Sequence, residues 1–477
     1  MKSPRSLLTI CILLASSAVA SEAEKLTTLE DQTSIAVTIY NNNLALVKDQ
    51  RKLILDKGLN TLAFRGVSAK MRPETALLRS LNPKNQLHVL EQNFDFDLLT
   101  PQKMLEKYTG KQVHLASINP ASGIETIQTA TILSTNGGVT LKIGDKIVTN
   151  PHGSYIFDEV PDNLRDQPTL VTQLNNATNR QQTVELGYLT SGLAWKADYV
   201  AELSSDDSQL DLTGWITLTN QSGTAYNNAK LQLVAGNVNQ VQPRISTNSG
   251  RQETMLKSMS VSPVAEESLF EYHLYSLNRP TDLADKQTKQ VALLTASSVP
   301  VNKQFLLQGS DYYYNSSYGQ LGQKMKVAVF VEFNNTKQAH LGLPIPKGTV
   351  RVYKNDSQGS AQFIGEDRIT HTPKNEVIRL KLGDAFDVTA DKTQTSFKHA
   401  KFFPPHNSAY KSHYKITLKN AKSELVTVTV REPVPGDWKI LQESHPHTKM
   451  TSGTAQWQIT IPADSNAILD YSVLVQY

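Results

Sequence analysis

The sequence predicts an all-β protein built from several antiparallel β-sandwich or small barrel modules. An immunoglobulin-like sandwich is expected at the C-terminal end, with one short helix near 100–109. Three observations carry this. Apolar and polar residues alternate with a period of two through much of the chain, as half-buried strands do. Clusters of Asn, Asp, Gly and Ser break these runs at hairpin spacing. Only one segment carries both helix start and helix stop signals.

The alternation is clearest from Thr183 to Val238. Leu193, Trp195, Ala197, Tyr199, Ala201 and Leu203 alternate with Ala194, Lys196, Asp198, Val200 and Glu202. Leu210, Leu212, Gly214, Ile216 and Leu218 then alternate with Asp211, Thr213, Trp215, Thr217 and Thr219. Asp206-Asp207-Ser208 and Asn220-Gln221-Ser222-Gly223 supply the turns.

Around this stretch the chain divides into modules. A first β module is expected over 34–97, where Ile35, Val37 and Ile39 alternate and Asn41-Asn42-Asn43 turns the chain into Leu44 and Leu46. In the helix, Thr100 suits the N-cap, Pro101 the first helical position and Gly110 the stop. A small β unit follows over 111–161, turned at Gly137-Gly138, Gly144-Asp145 and His152-Gly153. A large sandwich is expected over 182–400. It is interrupted by a polar, aperiodic stretch from Gln242 to Glu267 that reads as a mobile loop. The last module, over 411–477, offers strands at Tyr414/Ile416/Leu418, Val426/Val428/Val430, Trp457/Ile459/Ile461 and Leu469/Tyr471/Val473/Val475. Glu432-Pro433-Val434-Pro435-Gly436-Asp437 reads as a sharp turn between them.

A resemblance lies on these residues. The runs Glu185-Leu186-Gly187-Tyr188-Leu189, Gly192-Leu193-Ala194-Trp195-Lys196-Ala197-Asp198-Tyr199 and Ala229-Lys230-Leu231-Gln232-Leu233-Val234-Ala235-Gly236 resemble a bacterial family called domain of unknown function 4139. Mucoidy inhibitor A is a named relative of that family. The similarity extends to Glu271-Tyr272-His273-Leu274-Tyr275 and to the Trp438 region. The resemblance supplies no catalytic residues to carry over.

The N-terminus reads as a secretory signal peptide over 1–20. Lys2 and Arg5 form its basic region, Leu7 to Ala15 its apolar run and Ala18-Val19-Ala20 its cleavage pattern. This places the mature chain in the periplasm or outside the cell, with no transmembrane segment after cleavage. The single cysteine, Cys11, falls inside the signal, so the mature chain has no disulfide or thiol chemistry. The formal net charge of +4 becomes +2 without Lys2 and Arg5 (4 − 2). With acids and bases so nearly balanced and no basic cluster, nucleic acid is not an expected partner.

No phosphate loop, dinucleotide fingerprint, G-x-S-x-G elbow or H-E-x-x-H motif occurs. His445-Pro446-His447, near His399, His406 and His413, puts two imidazoles on one side of an extended segment, but no Cys or well-spaced carboxylate completes a metal set. Asp95 and Asp97 would share a strand face, and Asp198 would pair with Lys196 or Arg180. All four tryptophans, Trp195, Trp215, Trp438 and Trp457, sit in strands or at their edges and read as core or interdomain packing. The candidate binding residues are Tyr312, Tyr313, Tyr314 and Tyr318, aromatics in a polar loop that can stack on sugar rings or form a protein contact. The sequence therefore points to an exported cell-envelope protein that binds an envelope protein or a glycan, without cofactor or metal. The alternative is a hydrolase of envelope polysaccharide whose carboxylates are brought together by the fold.

The mature protein is expected to begin at Ser21 or Glu24. Mass spectrometry of cell fractions checks this, and an uncleaved product held in the membrane would count against it.

Overall fold

A computed structural model describes residues 24–41, 43–82, 87–120, 122–161, 164–236, 238–239, 264–269, 272–401 and 408–477. The expected signal peptide and residues 242–263 of the expected loop lie outside these. Residues 264–267 belong to a strand, Val264–Leu269, that pairs with Tyr272–Leu277. Of the described residues 65 % are in strands and 5 % in helices, so the all-β expectation holds. Among the described residues no sheet closes into a barrel, which removes the barrel alternative. The chain divides into two compact units.

The first unit takes in residues up to 37, 46–191 and 222–229. Its four-stranded sheet runs in the order Lys25–Thr27, Gly58–Arg65, Thr169–Asn176, Leu87–Asp95. Lys25–Thr27 pairs in parallel and the others antiparallel. Arg51 fastens this end. Its guanidinium is fully buried, pairs with Asp49 at 2.9 Å and lies 3.8 Å over the Phe64 ring. It also donates to the carbonyls of Thr27 at 2.9 Å and Arg65 at 2.8 Å. The planar fork meets several acceptors at once, which is why arginine suits a buried position better than lysine.

A five-stranded antiparallel sheet follows, in the order Lys146–Thr149, Thr140–Ile143, Glu125–Ser134, Gln112–Ile118, Ser154–Ile156. The expected helix is Pro101–Lys107, and Thr100 Oγ1 accepts the Lys103 N–H at 3.2 Å as the N-cap should. Met104, Leu105 and Tyr108 cover Val113, Leu115, Ala130, Ile132 and Leu141, so the helix lids one face of the sheet.

The second unit takes in residues 38–45, 192–221 and 230–477. One sheet dominates it, in the order Ala361–Ile369, Gly348–Asn355, Leu193–Leu203, Gln209–Asn220, Gln287–Gln308, Gln320–Asn334, Val377–His399, Ala409–Asn420, Ser465–Gln476, Asp437–Glu443. Two very long strands do the joining. Gln287–Gln308 spends its first part beside Gln209–Asn220. Its last part lies between Gln320–Asn334 and, in parallel, Val426–Pro433. Val377–His399 is shared in the same way between Gln320–Asn334 and Ala409–Asn420. Thr454–Ile461 and Thr448–Thr451 extend the sheet beyond Val426–Pro433. The C-terminal core therefore draws Phe305, Leu307, Val327 and Val388 in beside Trp457, Tyr471, Ile459 and Val428.

Phase explains which side chains are inside. Leu193, Trp195, Ala197, Tyr199, Ala201 and Leu203 are all buried, and Trp195 tilts against Tyr275 at 6.4 Å between ring centroids. Trp438 and Trp457 are buried as expected. Trp215 is not, at 38 % exposure. It lies opposite Asp198 in the ladder, on the polar face, so strand phase outranks its apolar character. The Glu432–Asp437 turn is also shorter than expected, because the strand Val426–Pro433 runs through Glu432.

Trp195→Ala is expected to destabilise the second unit by about 3–5 kcal/mol, since the sheet cannot close over the cavity. Thermal unfolding of the purified variant checks this, and an unchanged midpoint would overturn the core placement of Trp195.

Candidate functional site

The four candidate tyrosines sit on a loop between the two strands Gln287–Gln308 and Gln320–Asn334. They do not alternate on a strand. Asp311–Tyr314 forms a 3-10 turn, and this sends consecutive residues in different directions. Tyr313 and Tyr314 are buried, at 5 % and 0 % exposure. Tyr312 and Tyr318 remain outside, at 48 % and 43 %. The exposed pair meets edge to face with centroids 5.6 Å apart, and Tyr312 meets Tyr313 likewise at 4.7 Å.

The loop is held from below by polar groups that face the core. Lys392 and Glu432 lie there at 1 % and 0 % side-chain exposure, with Nζ 2.6 Å from Oε2. The Tyr314 hydroxyl donates to the same Oε2 at 2.9 Å and lies 2.9 Å from the Tyr471 hydroxyl. The lysine ammonium also rests 4.2 Å from the Tyr313 ring centre and 5.1 Å from that of Tyr414. The Tyr414 hydroxyl donates to the Tyr313 carbonyl at 2.7 Å. Gln394 accepts the Tyr318 N–H at 2.8 Å and donates to the Ser316 carbonyl at 3.0 Å. Every inner residue of the loop is thus tied to Val377–His399, Ala409–Asn420 or Val426–Pro433.

Burial governs the titration of this cluster. It pushes the Tyr414 hydroxyl up to about 12 and those of Tyr314 and Tyr471 well above their ordinary value. It also pulls the Lys392 ammonium below its ordinary value, although the Glu432 charge works the other way.

Further aromatics continue from the loop. The Tyr477 hydroxyl donates to Asn315 Oδ1. Tyr477 lies 6.1 Å from Tyr410, which stacks on Phe397 at 5.2 Å and meets His399 at 5.1 Å. The exposed side of the site is an open aromatic strip with the Asn315 amide beside it.

Residues 184–477 match the family described as Domain of unknown function (DUF4139). The chain belongs to this family. The match covers every residue of the tyrosine loop and its supports, so the whole site lies within the DUF4139 region. No curated protein matches the chain.

The other candidates in the DUF4139 region and before it are taken up by structural partners. Asp198 binds Lys196 at 3.2 Å and, unforeseen in the sequence, Arg351 at 3.3 Å. Asp95 pairs with Arg165 at 3.0 Å while Asp97 turns to Lys107 at 3.1 Å, so the two carboxylates serve different partners. His447 binds Glu443 at 2.9 Å and packs between Trp438 and Trp457. Among the described residues no three metal-binding side chains gather. His413 holds Ser472 Oγ at 2.7 Å on Nδ1 and Asp470 at 2.8 Å on Nε2, an order that resembles a catalytic triad. Ser472, however, is buried and its hydroxyl is engaged with the ring.

Lys392, Glu432 and Gln394 were missed in the sequence. A signal existed. Glu432 continues the inward phase of Val426, Val428 and Val430, and Lys392 and Gln394 continue that of Val388 and Ala390.

A Cβ placed on Gly309 would overlap the Glu432 carboxyl. Gly309→Ala is therefore expected to cost about 1–3 kcal/mol by overpacking. A lowered denaturant midpoint at unchanged slope checks it. An unaltered midpoint would show that the carboxylate is free to move.

Proposed function

We propose that this chain is an exported envelope protein that binds a glycan on its tyrosine strip, without chemistry. The observation that carries the reading is the division of the tyrosine loop. Tyr313 and Tyr314 are anchored in the core, so Tyr312 and Tyr318 stand in fixed orientation at the surface. Rigid aromatic faces beside hydrogen-bonding groups suit a pyranose ring, which has apolar faces and a polar rim. Preorganisation lowers the entropy lost on binding. The expected signal peptide and the absence of cysteine after it support an envelope location.

A hydrolase would need two carboxylates about 5–10 Å apart facing one space. Two clefts can be compared with that need: one of about 300 Å³ has Glu185 as its carboxylate, and this is bound by Arg79 and Gln50. The other holds Glu366, paired with Arg351, and Asp367, which accepts backbone N–H groups of Arg368 and Lys381. The binding reading is therefore the better supported.

Titration calorimetry with purified envelope polysaccharide fragments tests it. Tyr312→Ala and Tyr318→Ala are each expected to weaken binding by about tenfold or more, with melting temperature kept because both rings are exposed. Equal binding by the variants and the parent, or no binding by the parent, would reject the proposal.

A further inference from the structure

The Lys392–Glu432 pair is poorly served as an ion pair. Lys392 has three N–H donors, and its hydrogen bond goes to Glu432 Oε2, with tyrosine rings around the rest of the ammonium. Glu432 Oε2 receives both Nζ and the Tyr314 hydroxyl, whereas Oε1 is buried with no hydrogen-bond partner. A carboxylate with one oxygen unmet inside a core is costly, and so is an ammonium without its full set of acceptors. The two groups are nonetheless held in contact by four strands of one core.

We propose that Lys392 and Glu432 condense into an intramolecular amide bond, linking Val377–His399 covalently to Val426–Pro433. The contact of Nζ with the carboxyl, the enclosure by Tyr313, Tyr314, Tyr414 and Tyr471, and the unmet Oε1 carry this inference.

The chemistry balances without a co-reactant. A proton passes within the pair from the ammonium to the carboxylate, leaving an amine and a carboxylic acid. The Nζ lone pair attacks Cδ and forms the C–N bond. The negative charge that gathers on Oε2 is held by the Tyr314 O–H, which already points there at 2.9 Å. A second proton leaves Nζ as the tetrahedral intermediate collapses. The C–Oε1 bond breaks and Oε1 departs as water with both protons. The product keeps one N–H on Nζ and one carbonyl, Oε2, still bonded to Tyr314. The unmet oxygen is the one that leaves. Burial favours the start of this sequence, because it lowers the lysine pKa and so favours the free amine. Holding both reactants in one site removes the entropy that would slow the step in solution.

Intact-mass spectrometry of the purified full chain tests the proposal, with the N-terminus of the same sample sequenced first. The expected mass is that of the chain less one water. A tryptic digest should give a branched species joining Leu382–Lys398, uncut at Lys392, to Glu432–Lys439. Full mass with separate linear Leu382–Lys392 and Glu432–Lys439 peptides overturns the proposal. Lys392→Met should show no water loss, and a loss that persists in it also overturns the assignment. In Tyr314→Phe the linked fraction at a fixed time after synthesis should fall severalfold. An equal fraction removes the role given to the Tyr314 hydroxyl.

Discussion

Taking an ammonium and a carboxylate wholly out of water costs several kcal/mol for each charge, and only close contact and added hydrogen bonds offset it. Lys392 and Glu432 meet that condition only in part: Nζ lies 2.6 Å from Oε2 and the Tyr314 hydroxyl donates to the same oxygen, but Oε1 has no hydrogen-bond partner. The C-terminal core and the tyrosine loop both follow from this arrangement. Glu432 reaches inward through the space that Gly309 leaves, and Tyr314 reaches inward to meet Glu432. Once Tyr314 is committed, the tight turn sets Tyr312 on the opposite side. Removal of either charge alone would strand the other in an apolar core, a loss of about 3–5 kcal/mol in comparable pairs. Surface pairs such as Lys422–Glu424 carry no such weight.

The first unit solves a related problem with a different residue. Arg51 is as buried as Lys392, but its fork is shared among Asp49 and two backbone carbonyls. Those carbonyls belong to Thr27 and Arg65, so a single side chain fixes a short parallel strand to its neighbour. Arginine distributes its charge over a sheet edge, whereas lysine concentrates it on one carboxylate. The first arrangement suits a clamp. The second suits a site where one atom faces one atom.

Most of the fold was legible because period-two alternation reports burial directly. Leu193 to Leu203, Val426 to Val430 and Leu469 to Val475 are buried in the phase that their sequence shows. The helix at Pro101 was legible from its cap. Where residue type and strand phase disagree, phase decides. Trp215 reads as a packing residue, yet it follows the phase of Asp211, Thr213 and Thr217 and lies on the wet face with Asp198. The Pro- and Gly-rich run from Glu432 reads as a turn, yet Glu432 still belongs to the strand and lies in the core in phase with Val430. The candidate site was half legible. Three consecutive tyrosines and Tyr318 announce a surface feature, but a 3-10 turn has no period-two signature, so the sequence does not say which two face out. Asp198 found Arg351 far along the chain, a partner that spacing cannot reveal.

The parallel pairing of Phe305–Gln308 with Val428–Arg431 has a kinetic consequence. Parallel neighbours so far apart in sequence close a long loop, and the entropy of that closure must be overcome before any contact rewards it. The C-terminal core cannot form by local hairpins alone, because Phe305 and Leu307 belong to it and arrive on a strand begun at Gln287. Folding of the second unit should therefore be slow and late, with the nucleus dominated by distant partners. During that interval the valines of Val426–Pro433 are exposed, and the chain is most open to misassociation. A long-lived unfolded state is a hazard in a crowded compartment and an advantage to any chain that must be threaded through a membrane before it folds.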